Sequence, residues 1–420
     1  MVILATILSV LSILMSGLCF IRLKFPSLTL LFKLLALALS PYWAIVGAVG
    51  AVLGWIYHAP WALLMGILGA GWMSWYAWRC TRDHDGFEKA FGVGWSDQIH
   101  PEQARSMVQK RWTWALKMNA NPEPVWERDV PFWTIPDTDR ELLCDIWRPR
   151  DGDVSGLVFI YFHGSGWWIG DKDFYKTSRP FFRHLVAQGH TVMDVAYRLC
   201  PEVDIYGMVG DVKRAVAWMK ANASRYGVNP EKIVIGGGSA GAHLALLAGY
   251  TPQHPGLTPE DVKGTDLSVC GIVSYYGPID LVEGYHRYTV LQLAKNPPPV
   301  SIGTELEFEE KVPHIGRLDT LLGGSPIDIP DIYEFASPLT HVHPDCPPTL
   351  LFQGTRDVLV PVEPTCALHK KLVETGVPAI KVVYPWTEHG FDLLLPQMCP
   401  PAQSALYDVD RFLALMLNKD

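Results

Sequence analysis

No Cys-x-x-Cys pair occurs in this chain of 420 residues, whose eight cysteines (19, 80, 144, 200, 270, 346, 366 and 399) are scattered. Such spacing argues against a disulfide framework and suits a reducing compartment, or cysteines with no redox task. Runs of basic residues are missing as well, and the formal charge is a mild −8. Nucleic acid is therefore not an expected partner. From Val2 to Phe20 there is no charged residue at all. The positive n-region that a secretory signal would carry is missing too, and hydrophobicity resumes for about fifty residues more, which sets a cleaved leader aside.

What is present in residues 1–80 is apolar and aromatic. Val2–Phe20 is long enough to span a bilayer. Arg22 and Lys24 follow, then a second stretch, holding Lys33 and Pro41, that runs to Tyr57. After His58-Ala-Pro60 comes Trp61–Trp78, closed by Arg79 and Arg82. Trp43, Trp55, Tyr57, Trp61, Trp75, Tyr76 and Trp78 cluster near the ends of these stretches, as interfacial belts do. Helices of a water-soluble subdomain would show a polar face, and these mostly lack one. The reading is a membrane anchor over 1–80 with three transmembrane helices and a lipid bilayer as partner. Arg22, Lys24 and Lys33 then share a side with Arg79 and Arg82. The positive-inside rule places the rest of this multi-pass chain in the cytosol, with the endoplasmic reticulum as a candidate membrane. An Asn222-Ala-Ser224 sequon points the other way, but so short a match is common by chance.

Residues 81–120 read as a helical linker, with helical spacing over 102–117. Residues 121–420 alternate differently. Val130–Ile135 and Glu141–Trp147 flank a turn at Pro136-Asp-Thr-Asp139 and predict a hairpin. Buried-type strands follow at Leu157–Phe162, Thr191–Val195, Ile233–Ile235, Gly271–Tyr276, Thr349–Phe352 and Ile380–Tyr384, with helices such as Asp211–Arg225 between most of them. That alternation predicts an α/β fold with a mostly parallel sheet covered on both faces. Residues 281–345 break the rhythm, carry Pro297-Pro-Pro299, and read as a cap over a site rather than a decorative insertion.

The chemistry concentrates at residues 236–241, Gly-Gly-Gly-Ser-Ala-Gly, between the apolar run 232–235 and the helical run 242–248. In the frame Gly237-x-Ser239-x-Gly241 this is a nucleophile elbow, a serine at the apex of a turn too tight for side chains. Gly236-x-Gly238-x-x-Gly241 is also a dinucleotide fingerprint, which needs an acid at the tip of a second strand about 20 residues on. The nearest candidates, Glu260 and Asp261, sit in a polar Pro/Gly stretch with no strand before them. A serine nucleophile needs a base and an acid after it, in the order acid then histidine, each just past a strand. Asp357 stands in the turn after one strand and His389 in the loop after the last, with Glu388 and Asp392 as fallback acids. The oxyanion donors fall to residues 163–167, His-Gly-Ser-Gly-Trp, where Gly164 and Ser165 supply amides, joined by Ala240 from the elbow. Ser165 is a rival nucleophile in name only, since no helix follows it. His341-Val-His343 with Asp345 lies in a prolyl irregular loop, an ordinary loop rather than a metal cluster. No metal and no cofactor is expected.

The motifs at 163–167, Tyr197–Glu202, 237–245, Asp357–Pro361 and His389-Gly-Phe391 stand in the order and spacing of the α/β-hydrolase fold. Over about residues 120–418 the chain resembles hormone-sensitive-lipase-like esterases and related carboxylesterases. The resemblance implies Ser239 as nucleophile, Asp357 as acid, His389 as base, and Gly164, Ser165 and Ala240 as the oxyanion hole. Two positions depart from the family: Ser165 replaces a glycine of the usual His-Gly-Gly-Gly loop, and Gly238 stands where aspartate is frequent. The expected function is a membrane-anchored serine hydrolase acting on a lipophilic small-molecule or lipid ester. Acyl transfer, lyase or condensation chemistry on a natural-product intermediate is the alternative, and a non-catalytic membrane scaffold the third reading.

Overall fold

The computed structural model describes residues 1–21, 28–118, 123–150, 154–292 and 318–418. Arg22 and Lys24, and residues 293–317 of the expected cap with Pro297-Pro-Pro299, lie outside the described residues.

Eight strands form one sheet: β1 Val125–Thr134, β2 Glu141–Arg148, β3 Val158–Phe162, β4 Thr191–Val195, β5 Ile233–Gly238, β6 Gly271–Tyr275, β7 Thr349–Gly354 and β8 Ala379–Tyr384. Their order is β1-β2-β4-β3-β5-β6-β7-β8. Among the described residues only the first hairpin and the β2–β4 pairing are antiparallel. From β4 to β8 every neighbour is parallel. The central strands are buried throughout because helices cover both faces, which is why they read as unbroken apolar runs. A parallel sheet puts all its strand C-termini on one edge, and the loops after β3, β5, β7 and β8 meet there.

Two helical expectations shift. The helix expected over 211–225 starts earlier, at Ile205, because the Asp204 side chain caps it by accepting the Gly207 N–H at 2.9 Å. The helix expected over 102–117 stops at Ser106. Beyond it, side chains of the C-terminal helix Pro400–Asn418 take the backbone donors a helix would have used. Asp410 accepts from Val108 N at 2.7 Å, and Gln403 accepts from Thr113 N at 2.7 Å. Helical spacing there met a better offer from tertiary structure.

The described residues of 1–81 form four helices: α1 Val2–Leu18, α2 Leu28–Ala38, α3 Ser40–Ile56 and α4 Pro60–Thr81. No single helix among the described residues is long and apolar enough to cross a membrane. The expected second stretch is instead a pair, α2 and α3, bent by 76° and long and apolar enough together. Pro41 in the first turn of α3 keeps the α2 ladder from continuing.

The packing of α1, α3 and α4 inverts that of a water-soluble bundle. Small and hydroxyl residues face inward: Ser9, Ser12 and Ser16 of α1 meet Gly50 and Gly47 of α3 and Gly69 of α4, and Gly66 of α4 packs on Gly47. A Cβ on Gly66 would lie 2.5 Å from the Gly47 carbonyl oxygen, so the helix backbones touch. Ser9 and Ser16 donate across helices to the carbonyls of Ala62 and Gly69 at 2.7 and 3.2 Å. Outward point Ile3, Ile7, Leu14, Ile45, Val52, Trp55, Leu64 and Ile67, all exposed.

Burial in the core depresses three histidines among the described residues. Burial pushes His163, His190 and His243 down to about 4. Each is neutral in the fold while the unfolded chain takes its proton up near pH 6.5, so their stabilisation is full above that pH and lost as pH falls toward 4. Asp194, pushed up to about 8 by burial, has the opposite sign. It keeps in the fold a proton that the unfolded chain releases near pH 4, so its share falls as pH rises from there. Over these four groups unfolding takes up a net two protons between pH 4 and 6.5, and the further shifts oppose each other, His341 and His369 lowered by burial against Glu388 and Asp392 raised by it. Stability should thus drop on acidification by up to about 2.7 kcal/mol per pH unit. Urea unfolding at pH 7, 6 and 5 checks this; a midpoint that holds or rises would refute it.

Candidate active site

Ser239 leaves β5 and opens the helix Ala240–Tyr250 at φ 54 and ψ −122. A side-chain-bearing residue holds such a backbone only where its surroundings over-determine it. They do so here: Ser239 N donates to Tyr275 O at 2.9 Å, and Ser239 O accepts His243 N at 3.0 Å. The flanking glycines are required by space. A Cβ on Gly237 would lie 2.1 Å from the Phe162 carbonyl oxygen, and one on Gly241 would lie 2.0 Å from the same atom. Gly241→Ala should therefore cost at least about 3 kcal/mol of stability. A denaturation midpoint like that of the wild type would show the elbow to have slack.

Past β7, the Asp357 carboxylate is held from several sides. Oδ1 accepts the N–H groups of Leu359 and Val360, both at 2.8 Å, and Oδ2 accepts Gln353 Nε2 at 2.9 Å. His389, past β8, brings Nδ1 to 2.8 Å from Asp357 Oδ2. The two fallback acids are engaged elsewhere. Glu388 points back to Val358 N at 3.1 Å and to Lys33 Nζ at 2.5 Å. Asp392 accepts the Tyr276 hydroxyl at 2.5 Å, and burial raises its carboxyl above the usual range.

The loop after β3 runs against the elbow, for a Cβ on Gly164 would lie 3.3 Å from Ser239 Cβ. Its carbonyls are tied off by neighbours. Tyr197 Oη donates to His163 O at 2.8 Å, and His163 Nδ1 sits 2.8 Å from Gly164 O. Ser165, at φ 92, turns its hydroxyl to the carbonyls of Gly164 and Ile169. That hydroxyl fastens the loop and is spent on backbone. No backbone acceptor among the described residues takes the amides of Gly164, Ser165 or Ala240. A cleft at Ser239 is lined by Trp167, Ile279, Leu281, Leu318 and Val360, so both described flanks of the expected cap border it.

The other sequence candidates are dispersed. His341 Nε2 bonds Phe335 O at 2.7 Å and His343 Nε2 bonds Tyr250 O at 3.0 Å. Asp261 of the dinucleotide frame lies in a single turn and pairs with Arg214 at 2.7 Å. Two residues near the site escaped the sequence reading. The Tyr276 ring lies 4.4 Å from the His389 ring, and Lys33 reaches Glu388 from α2. Neither sits in a motif, and only packing brings them there.

A mostly parallel sheet with a serine on a strained strand–helix turn, and an acid bonded to a histidine past the last two strands, defines an α/β-hydrolase. The BD-FAE family profile matches residues 144–372, and the chain belongs to that family. It is 33% identical over 253 residues to the probable carboxylic ester hydrolase LipM of Mycobacterium tuberculosis, covering 60% of this chain and 53% of LipM. The chain thus spans about half the length of LipM. To esterase LipQ of the same organism it is 28% identical over 366 residues, covering 82% of this chain and 80% of LipQ. Among solved structures, the butyrate-bound esterase Est2 of Thermogutta terrifontis superposes with a TM-score of 0.52 at 25% identity, covering 70% of this chain and 95% of that one.

Proposed function

We propose that this chain is a membrane-embedded serine hydrolase that cleaves a lipophilic carboxylic ester through an acyl-enzyme. The observation that carries this is the Asp357–His389 bond of 2.8 Å on the sheet edge where Ser239 is held at φ 54. Ser239 Oγ attacks the ester carbonyl while His389 Nε2 takes its proton. Asp357 keeps the Nδ1–H of His389 in place and favours the imidazolium that forms. The amides of Gly164, Ser165 and Ala240 receive the oxyanion. His389 then protonates the leaving alcohol, activates water, and the acyl group departs as the acid. The names of the related esterases support an ester substrate. The apolar lining of the cleft supports a lipophilic one.

The N-terminal bundle serves on this reading as the membrane unit. Large apolar side chains facing out and glycine-mediated contacts facing in are what a bilayer rewards, since lipid leaves close packing as the main attraction between helices. At 1.5 Å per residue, α1 and α3 reach about 26 Å and α4 about 33 Å, against a hydrocarbon core about 30 Å thick. Arg79 and Arg82 close α4 next to the hydrolase domain, and by the positive-inside rule they support a cytosolic side for that domain. Retention in membranes after alkaline carbonate washing tests the anchoring, and release into the supernatant would end it. An ester series of increasing acyl length tests the substrate class. Far better turnover of short soluble esters would remove the lipophilic part.

A further inference from the structure

We propose that Lys33, in the apolar N-terminal segment, is a positioning residue for His389, so that the hydrolase works fully only with its helical bundle seated. This rests on the reading of Ser239, Asp357 and His389 as the reacting triad. Lys33 is the only charge in α2, and its side chain is 0% exposed. Its ammonium lies 2.5 Å from Glu388 Oε1, in a carboxylate only 1% exposed, and donates to Ile21 O at 2.8 Å. Two charges taken out of water hold together only when paired and hydrogen-bonded, so neither group is there for solubility.

Glu388 joins both arms of the site. It precedes His389 in the chain, and its Oε2 accepts the N–H of Val358, the residue after Asp357. One carboxylate thereby ties the histidine loop to the acid loop, and Lys33 neutralises it. The rest of that loop is gripped by the same bundle. Thr387 Oγ1 is 3.0 Å from Tyr76 Oη of α4. The Trp386 ring lies 5.2 Å from Phe20 and 5.4 Å from Trp72. Residues 386, 387 and 388 each touch the N-terminal segment, and residue 389 is the base. A segment that merely anchored the enzyme would need none of these contacts.

The test compares Lys33→Met, Glu388→Gln and the double variant with wild type, all as full chains in the same detergent or liposomes. Active sites are counted with a fluorophosphonate probe. Lys33→Met should lower kcat per labelled site by on the order of 10²-fold, the scale of a small misplacement of a catalytic group, with KM within about threefold. It should also move the acidic limb of the kcat–pH profile, because an unneutralised carboxylate then stands beside the base. The other groups facing this loop are unchanged in the variant: Asp357, Asp392 through Tyr276, Tyr76 and Cys80 at Thr387, and Arg356 over Trp386. The double variant removes both charges and should regain kcat to within about tenfold of wild type, which a simple packing defect would not do. Wild-type kcat and pH profile in Lys33→Met would overturn the proposal. So would a double variant that folds yet is no better than Lys33→Met. If Lys33→Met does not fold, the double variant decides alone, by whether its kcat recovers. Failure of the triad reading looks different: wild type would not label, or Ser239→Ala would keep its activity.

Discussion

Ser239→Ala is expected to lower kcat by on the order of 10⁶-fold and to abolish labelling by a fluorophosphonate probe. The loss is large because nucleophile, base and acid act as a unit, and what survives is only the contribution of the oxyanion donors and the cleft. Folding should hardly change. The strain at φ 54 belongs to the elbow backbone and its two backbone bonds, which alanine retains. The pairing of intact stability with lost chemistry is therefore the informative result. Residual turnover above about one part in a hundred would remove Ser239 from the mechanism, since a bystander serine costs little. A wild type that never labels would favour the scaffold reading.

Asp357→Asn should reduce kcat by about 10⁴-fold while KM stays nearly constant. The asparagine oxygen can still accept the amides of Leu359 and Val360, so the turn survives. Its NH₂ group would then face both His389 Nδ1 and Gln353 Nε2, where the carboxylate had accepted from each. To relieve two opposed donors, His389 must leave Nδ1 bare and carry its proton on Nε2, the nitrogen that has to receive the proton of Ser239. Kinetics across pH 6–9 measure the loss. An Asp357→Asn enzyme within tenfold of wild type, beside a Glu388→Gln enzyme that is dead, would hand the acid role to Glu388.

Much of this was legible in the chain itself. A strand buried on both faces admits only apolar residues, so β3 to β8 could be located within a residue or two at their starts. The elbow was readable because its constraint is local: two glycines must lie against the Phe162 carbonyl, and no other residue type fits. The order acid then histidine follows from strands being used in sequence, which made Asp357 and His389 findable without a contact map.

Other features depended on surroundings that spacing does not encode. The helical pattern over 107–117 lost to Asp410 and Gln403, which lie about 300 positions away. Lys33 read as one of the positive residues at the membrane surface, yet it is buried against a carboxylate 355 positions on. Ser165 read as a change in the oxyanion loop, and its hydroxyl proves to be occupied by two carbonyls.

By itself the sequence determined the sheet and the elbow and narrowed the acid to a few carboxylates, because periodicity and steric exclusion act over a few residues. Only the tertiary structure decided which carboxylate reaches His389, where Lys33 finds its partner, and how α1, α3 and α4 turn glycine and serine inward. Those outcomes depend on which desolvated groups meet across hundreds of positions. A buried charge or hydroxyl is stable only beside a partner, and the fold alone chooses that partner.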